Sequence, residues 1–458
     1  KSRSLHDWLR SLAGLALLAA ALASCSGSGG TSPAPFVNPP APGAIGAGST
    51  PAPTAQPSAQ PSAQPSPTPP PATPVPTPTP PPAPAADPSL HVPAGFLVST
   101  IAHVAGAREL AALPNGDLIV GTSGTTVAII PNAESAGAAG TPATFATVGD
   151  APAQGVAYGA NFVFVATQHG VYRIPYASGA QSGTAAKIAS VRTGSVAPNS
   201  DGDVHTTSSV GVSGSTLYVG VGSSCNACAE TDSTRATVQR MNLDGSGMTT
   251  QAKRWRNAIA FATDPATGVV WAGGAGQDSL AQAHPYEFMD PVSTRTAPAD
   301  YGWPSCEENH VVYTAGASCA SVVVPALEFP AYSTIIGATF YPAGQAGRYA
   351  FPAAWSGGMF VGLHGSWHTA GGVPVDPPHV AFVPFTGASP ARAVNWNDPT
   401  AQWNDFFTGF QHADGTRSGR ITGVAAGAQG SLFVADDQNG VVYRIRPSSS
   451  ATSARTRT

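Results

Sequence analysis

Arg420-Ile-Thr-Gly-Val-Ala-Ala-Gly-Ala-Gln-Gly430-Ser-Leu-Phe-Val-Ala-Asp-Asp-Gln-Asn-Gly440-Val-Val-Tyr-Arg-Ile445 sets out a complete structural unit. A polar residue precedes a strand of small and apolar residues, Gly423-Val-Ala425. A glycine-bounded turn, 427–430, leads to a second strand, Leu432-Phe-Val434. Another turn leads to a third, Val441-Val-Tyr-Arg-Ile445. Short β-branched and aromatic runs cut by Gly, Asn and Asp read as strands.

The same order of features occurs in five earlier segments. Copy one, 108–130, has the turn Pro114-Asn-Gly-Asp117 and the strand Leu118-Ile-Val-Gly121. Copy two, 154–174, has Phe162-Val-Phe-Val165 and Val171-Tyr-Arg-Ile174. Copy three, 205–241, has Leu217-Tyr-Val-Gly220 and Thr237-Val-Gln-Arg-Met241. Copy four opens at Arg256-Asn257 and continues through Asp264-Pro-Ala-Thr-Gly268 to Val269-Val-Trp271. Copy five, from about Ile336, has Ala338-Thr-Phe-Tyr341 and Met359-Phe-Val-Gly362. The spacing of starts at 108, 154, 205 and 256 is that of propeller blades. Copies four and five carry insertions. A β-sandwich would supply short strands, but not the same strand order with the same turn positions. The expected fold class is therefore all-β, a six-bladed β-propeller over 91–447, whose closure leaves only short sheet edges.

Composition narrows the function classes. The 458 residues carry 10% charged side chains, a formal net charge of −4, 51 glycines and 45 prolines. No run of Lys and Arg marks a nucleic-acid surface. After residue 25 no apolar run is long enough to span a bilayer. At the start, Lys1, Arg3 and Arg10 precede a short apolar stretch, 12–23, which reads as an export signal. Leu22-Ala23-Ser24-Cys25 is similar to a bacterial lipobox, which makes Cys25 the expected lipidation site; the alternative is an ordinary signal peptide with a chance cysteine. Ser26 after it fits an outer-membrane destination, with the body periplasmic or extracellular. Residues 26–90 are rich in Pro, Ala, Ser and Thr and read as a disordered tether. At ~3.1 Å per residue it could reach over about 100 Å. Residues 448–458 read as a tail.

Four cysteines remain besides Cys25. The local pairings Cys225–Cys228 and Cys306–Cys319 are the simplest, each closing its own loop, and disulfides suit an exported protein. The CxxC also raises zinc or a redox dithiol. The spacing of Cys306 and Cys319 does not complete a zinc site, and no βαβ context surrounds the pair.

The repeat register gathers the chemistry. In a propeller the first strand of each blade lines the central channel, so the residue before it faces one mouth. Those residues are Arg108, Gln154, His205, Arg256 with Asn257, and Arg420. Copy five has an apolar residue there, but His364 follows its second strand. Singly, such an arginine is an ordinary solvated or paired side chain. As a ring, three guanidiniums suit a planar polyanion, since each can bind a carboxylate through two parallel hydrogen bonds. Neighbouring positive charge lowers a histidine pKa and favours its neutral, basic form.

At this level of detail, 91–447 resembles the pyrroloquinoline quinone (PQQ)-dependent sugar and aldose dehydrogenases, in particular the L-sorbosone dehydrogenase-like branch. The resemblance rests on Leu217-Tyr-Val-Gly-Val-Gly-Ser-Ser-Cys-Asn-Ala-Cys228, Trp255-Arg-Asn257, Tyr301-Gly-Trp-Pro304, His364-Gly-Ser-Trp367 and Gly419-Arg420 with Asp436-Asp437. It implies a six-bladed propeller with PQQ and Ca2+ at the channel mouth. It also implies a sugar or aldehyde substrate, with His205 as catalytic base. Arg256, Asn257 and Arg420, together with Arg108 and Gln154, would contact the cofactor. The backbone carbonyls of Gly276 and Gln277 would serve calcium, and His364 and Trp367 would line the substrate side. A periplasmic acceptor would receive the electrons, and the membrane would be met only through the lipid. No CxxCH occurs, since Ala229 follows Cys228, so no cytochrome segment is fused.

The chain departs from the family pattern along Gly274-Ala275-Gly276-Gln277-Asp278 and Ala281-Gln282-Ala283, where acidic and amide side chains are usual and only Gly276, Asp278 and Glu287 match. Ser208-Ser209 stands where an Arg is usual, and Gln154 where an Asn is frequent. A second reading follows from these changes: a propeller that binds carbohydrate or scaffolds other molecules without catalysis. A calcium-dependent lactonase would need a ring of acidic and amide ligands, which this cationic ring does not offer.

Overall fold

The structure is a computed structural model that describes residues 86–192, 204–278, 280 and 283–448. The expectations for the leader, Cys25, most of the tether and the tail after Ser448 lie outside the described residues. The chain divides into units 1–75 and 76–458, and every described residue belongs to the second.

Six antiparallel sheets follow one another along this unit. Their first strands are Ala107–Ala112, Gly155–Gly159, Ser208–Ser213, Asn257–Thr263, Ile335–Tyr341 and Ile421–Ala426. Each packs against the first strand of the next sheet, and the last packs against the first, so the six enclose a channel. Within each blade the later strands add outward in chain order. The last blade is completed from the other end of the chain: Phe96–His103 pairs antiparallel with Val441–Pro447. The expected six-bladed propeller is what the chain forms.

The second strands are the most deeply buried: Leu118–Thr122, Gly358–Leu363 and Leu432–Asp436 are buried along their whole length, and the other three at all but one end residue. They read as continuous apolar runs because both faces of a blade are covered by its neighbours. Accordingly, the apolar side chains of the blades form a cluster at each of the six seams between adjacent blades. This sandwiching also explains the recurrent Val-Gly motif. A Cβ at Gly121, Gly220 or Gly362 would overlap the backbone carbonyl of Gln154, Ala258 or Thr422 in the next blade. Only glycine admits that approach.

Both local disulfides form, Cys225–Cys228 and Cys306–Cys319. The second lies in the insertion of blade four, between Glu287–Asp290 and Leu327–Phe329, and packs on Val322. That insertion also sends Ala299–Asp300 back to pair in parallel with Thr249–Lys253 of blade three. Closing a loop of this size stabilises by roughly 3 kcal/mol through the unfolded chain. The double variant Cys306→Ser/Cys319→Ser should therefore melt roughly 4 °C lower in a thermal scan. An unchanged midpoint would mean that the loop's apolar contacts alone hold it.

Candidate active site

At the mouth facing the starts of the first strands lies a cavity of about 360 Å³. His205, Arg256, Asn257, Gly276, His364, Trp367 and Arg420 line it, so seven of the expected site residues meet here. Asn226, Asp278, Glu287, Tyr332 and Thr334 complete the wall. Arg108 and Gln154 instead line a neighbouring cavity with Asp150, Thr206 and Thr207.

His205 stands just before Ser208–Ser213. Its Nδ1 lies 2.9 Å from the Ser223 carbonyl and 3.0 Å from Ser223 Oγ. A carbonyl only accepts, and Ser223 Oγ spends its own hydrogen on the Cys225 carbonyl at 2.6 Å. Nδ1 therefore carries the proton, and Nε2 is left with its lone pair. Burial, then the Arg256 guanidinium, hold the imidazole well below its ordinary pKa; the Ser223 contact opposes them. The side chain is a neutral base at neutral pH.

Arg256 is nearly buried and fully engaged. Its guanidinium donates to the Asn226 carbonyl at 3.2 Å, to the Gly276 carbonyl, and to Asp278 at 2.7 Å. Asn226 also brackets Asp278: its amide donates to the Asp278 carbonyl at 2.9 Å and its Oδ1 accepts from the Asp278 N–H at 2.7 Å. The other Asp278 oxygen accepts from His368 Nε2 at 2.9 Å. Asn226 sits between the two bridged cysteines. The CxxC loop is thus more than a staple, because it grips the arginine and carboxylate of the next blade.

Arg420 differs. Its Nε and Nη2 donate to the carbonyls of His364 and Gly365, at 3.2 and 2.9 Å. Among the described residues it has no ion pair, and Nη1 has no hydrogen-bond partner. Burial, then Arg417, push it down to about 10, which leaves it charged. Arg108 is instead bonded to Asp437 and, at 2.9 Å, to Gln154. Asp437 also accepts from His364 Nε2 at 3.0 Å, and burial pushes His364 down to about 4. The expectation of three arginines free for a polyanion is corrected accordingly. Asp437 and Asp278 neutralise Arg108 and Arg256, and Arg420 is left as the uncompensated cation.

Among the described residues, Asn257 Oδ1 is buried without a hydrogen-bond partner. The Gly276 carbonyl is taken by Arg256. Gln277 is not in the cavity wall: its amide is bonded to the Pro304 carbonyl at 3.0 Å and to Glu307 at 2.5 Å. Trp367 is 65% exposed at the rim. Its ring lies 3.8 Å from that of His368, which lies 3.9 Å from Tyr332.

Sequence reasoning missed Ser223, Asn226, Asp278, Tyr332 and Asp437 as site residues. Three of them obey a register of their own. Ser223, Asp278 and Asp437 follow the second strands Thr216–Val221, Val270–Ala275 and Leu432–Asp436, as His364 follows Gly358–Leu363. The same repeat, read one strand further, brings these positions to the same mouth.

No family model matches the sequence. A curated protein of Borreliella burgdorferi described only as uncharacterized is 21% identical over 194 residues, 42% of this chain. The match spans 46% of that protein, less than half its length. Among solved structures, the holo form of the pyranose dehydrogenase PQQ domain from Coprinopsis cinerea aligns with a TM-score of 0.65 at 18% identity, over 80% of this chain and 98% of that one. The calcium structure of the Trichoderma reesei carbohydrate-active enzymes family AA12 gives 0.62 at 18%, over 80% and 98%. The apo form of the soluble aldose sugar dehydrogenase from Escherichia coli gives 0.52 at 13%, over 77% and 100%. This chain is similar to all three in its propeller fold.

Proposed function

We propose that this propeller is an oxidoreductase that removes hydride from a sugar or sugar aldehyde with PQQ as its cofactor. One observation carries the reading: the free Nε2 lone pair of His205 shares a cavity with the uncompensated guanidinium of Arg420. The unpartnered Oδ1 of Asn257 in the same wall is a further unmet acceptor. This donor set fits a planar group bearing carboxylates. Arg420 would hold a carboxylate through Nη1 and Asn257 would take an N–H or a cation. Arg256, fixed by Asp278, would present a positive face. Bound PQQ supplies an electrophilic quinone that accepts hydride.

The chain's own residues do the rest. His205 Nε2 takes the proton of the hydroxyl on the carbon being oxidised, and the Ser223 carbonyl stabilises the resulting imidazolium through Nδ1–H. The Trp367 and His368 rings give a sugar an apolar face at the rim. For calcium, the available hard oxygens are Asn257 Oδ1, the Gly276 carbonyl and the Asp278 carboxylate. Arg256 bridges the last two and competes there with a divalent cation. The two disulfides support an oxidising compartment, and acylation at Cys25 would tether the domain to an outer membrane. A sorbosone-like substrate rests on the family resemblance.

Titrating the purified chain with PQQ, with and without Ca2+, tests the reading through the quinone absorbance. Arg420→Gln should weaken uptake by roughly 10–100-fold, the worth of a hydrogen bond to a charged partner, without changing the circular dichroism. A second reading, a carbohydrate-binding propeller without turnover, is favoured by the full internal engagement of Arg256. Failure to take up PQQ at micromolar concentrations would select it.

A further inference from the structure

Beside the mouth cavity lies a second, larger one of about 580 Å³. The two share Tyr332. Tyr286, Tyr332 and His368 give the second cavity aromatic walls, Pro330 and Val375 add apolar surface, and Asp376 supplies a carboxylate. Asp376 is 8% exposed, and among the described residues its buried Oδ2 has no hydrogen-bond partner. Burial pushes its pKa up to about 7; leaving such an oxygen unmet is costly, so it awaits a hydrogen-bonding partner.

The partition between the cavities is strained. Tyr332 and Thr334 both adopt left-handed backbone, at φ 69° and 58°. Between them Ser333 is fully buried and donates to the Pro330 carbonyl at 2.8 Å. Two non-glycine residues in that region cost free energy and persist only where the surroundings demand them. The result places Tyr332 in both walls, its ring tilted by 31° against that of His368.

We propose that the second cavity is a subsite for another sugar ring, so that the substrate is a disaccharide or longer carbohydrate with one ring at His205 and the next against Asp376. Aromatic faces with a single buried acceptor are what a ring with apolar C–H faces and hydroxyl edges requires. A cationic ligand is disfavoured, because the Arg417 guanidinium, which donates to the Asp376 backbone carbonyl at 3.3 Å, already sets a positive charge near the carboxyl. The assignment of which ring reacts rests on the oxidoreductase reading; the binding of a second ring does not.

Calorimetry and tryptophan fluorescence on the full chain without added cofactor test the subsite. The probes are glucose, cellobiose, maltose and a β-1,4-linked glucosamine dimer. One or both neutral disaccharides should bind at least roughly tenfold more tightly than glucose. Asp376→Ala should abolish that preference while glucose affinity stays put. Asp376→Asn, which keeps an acceptor, should retain part of it, with folding checked by circular dichroism. Equal affinity for glucose and both neutral disaccharides overturns the inference. So does a preference that survives Asp376→Ala, or binding confined to the glucosamine dimer. A disaccharide preference in a chain that takes up no PQQ supports the subsite and overturns the oxidoreductase reading alone. PQQ uptake without the preference does the reverse.

Discussion

His205→Ala should lower turnover by roughly 10²–10⁴-fold, the usual worth of a positioned general base, while PQQ uptake followed by absorbance changes little. The expectation depends on tautomer and charge. Nδ1–H is committed to the Ser223 carbonyl, so Nε2 is the basic atom. The base acts only when unprotonated, and burial with Arg256 holds its pKa well below 6.5. Activity should therefore be flat above pH 6.5 and fall only as pH drops through that lowered value. Removing the charge with Arg256→Gln should move the acid limb upward. Retained turnover in His205→Ala, or an acid limb above 6.5 in the unaltered protein, would remove His205 from the mechanism.

Gly220→Ala should have the largest effect on stability. The added Cβ would overlap the Ala258 carbonyl, a backbone atom in the inner strand of the next blade. No rotamer change relieves such a clash, so the blades must separate. A cost of about 3 kcal/mol or more is expected, and thermal unfolding should fall by roughly 4 °C or more. Because Ala258 follows Arg256 and Asn257, the displaced strand carries two cavity residues with it. Loss of PQQ affinity should accompany the loss of stability. A variant with unchanged melting would show that the ring tolerates spreading at this seam.

These two cases mark what was legible before the structure. The repeat could be read because packing each blade between two others demands the same buried second strand and, in three blades, the same terminal glycine. The mouth residues could be read because a fixed register puts them at one end of the channel. What the register hid was compensation. Asp278 and Asp437 come from a different strand end, so counting only the residues before the first strands overstated the positive charge. Asn226 was hidden inside a motif whose obvious reading was a disulfide. Asp376 sits in an insertion that has no counterpart in other copies, where repetition carries no information; Tyr332 precedes Ile335–Tyr341 by three residues, as His205 precedes Ser208–Ser213, but starting copy five at Ile336 left it out of the register. Arg108 and Gln154 were read as two cofactor contacts, yet they are adjacent mouth positions that bind each other.

The seam between Phe96–His103 and Val441–Pro447 gives the ring a dependence on its own order of synthesis. Among the described strands, the first to emerge has no partner until the last has been made. The inner strands close the ring where Ile421–Ala426 packs on Ala107–Ala112, and the late pairing of Phe96–His103 with Val441–Pro447 fastens that closure from outside. A product cut short by its final strand would lose the clasp along with that strand. Proteases would meet it as an unfastened ring, so the seam also distinguishes finished chains from unfinished ones.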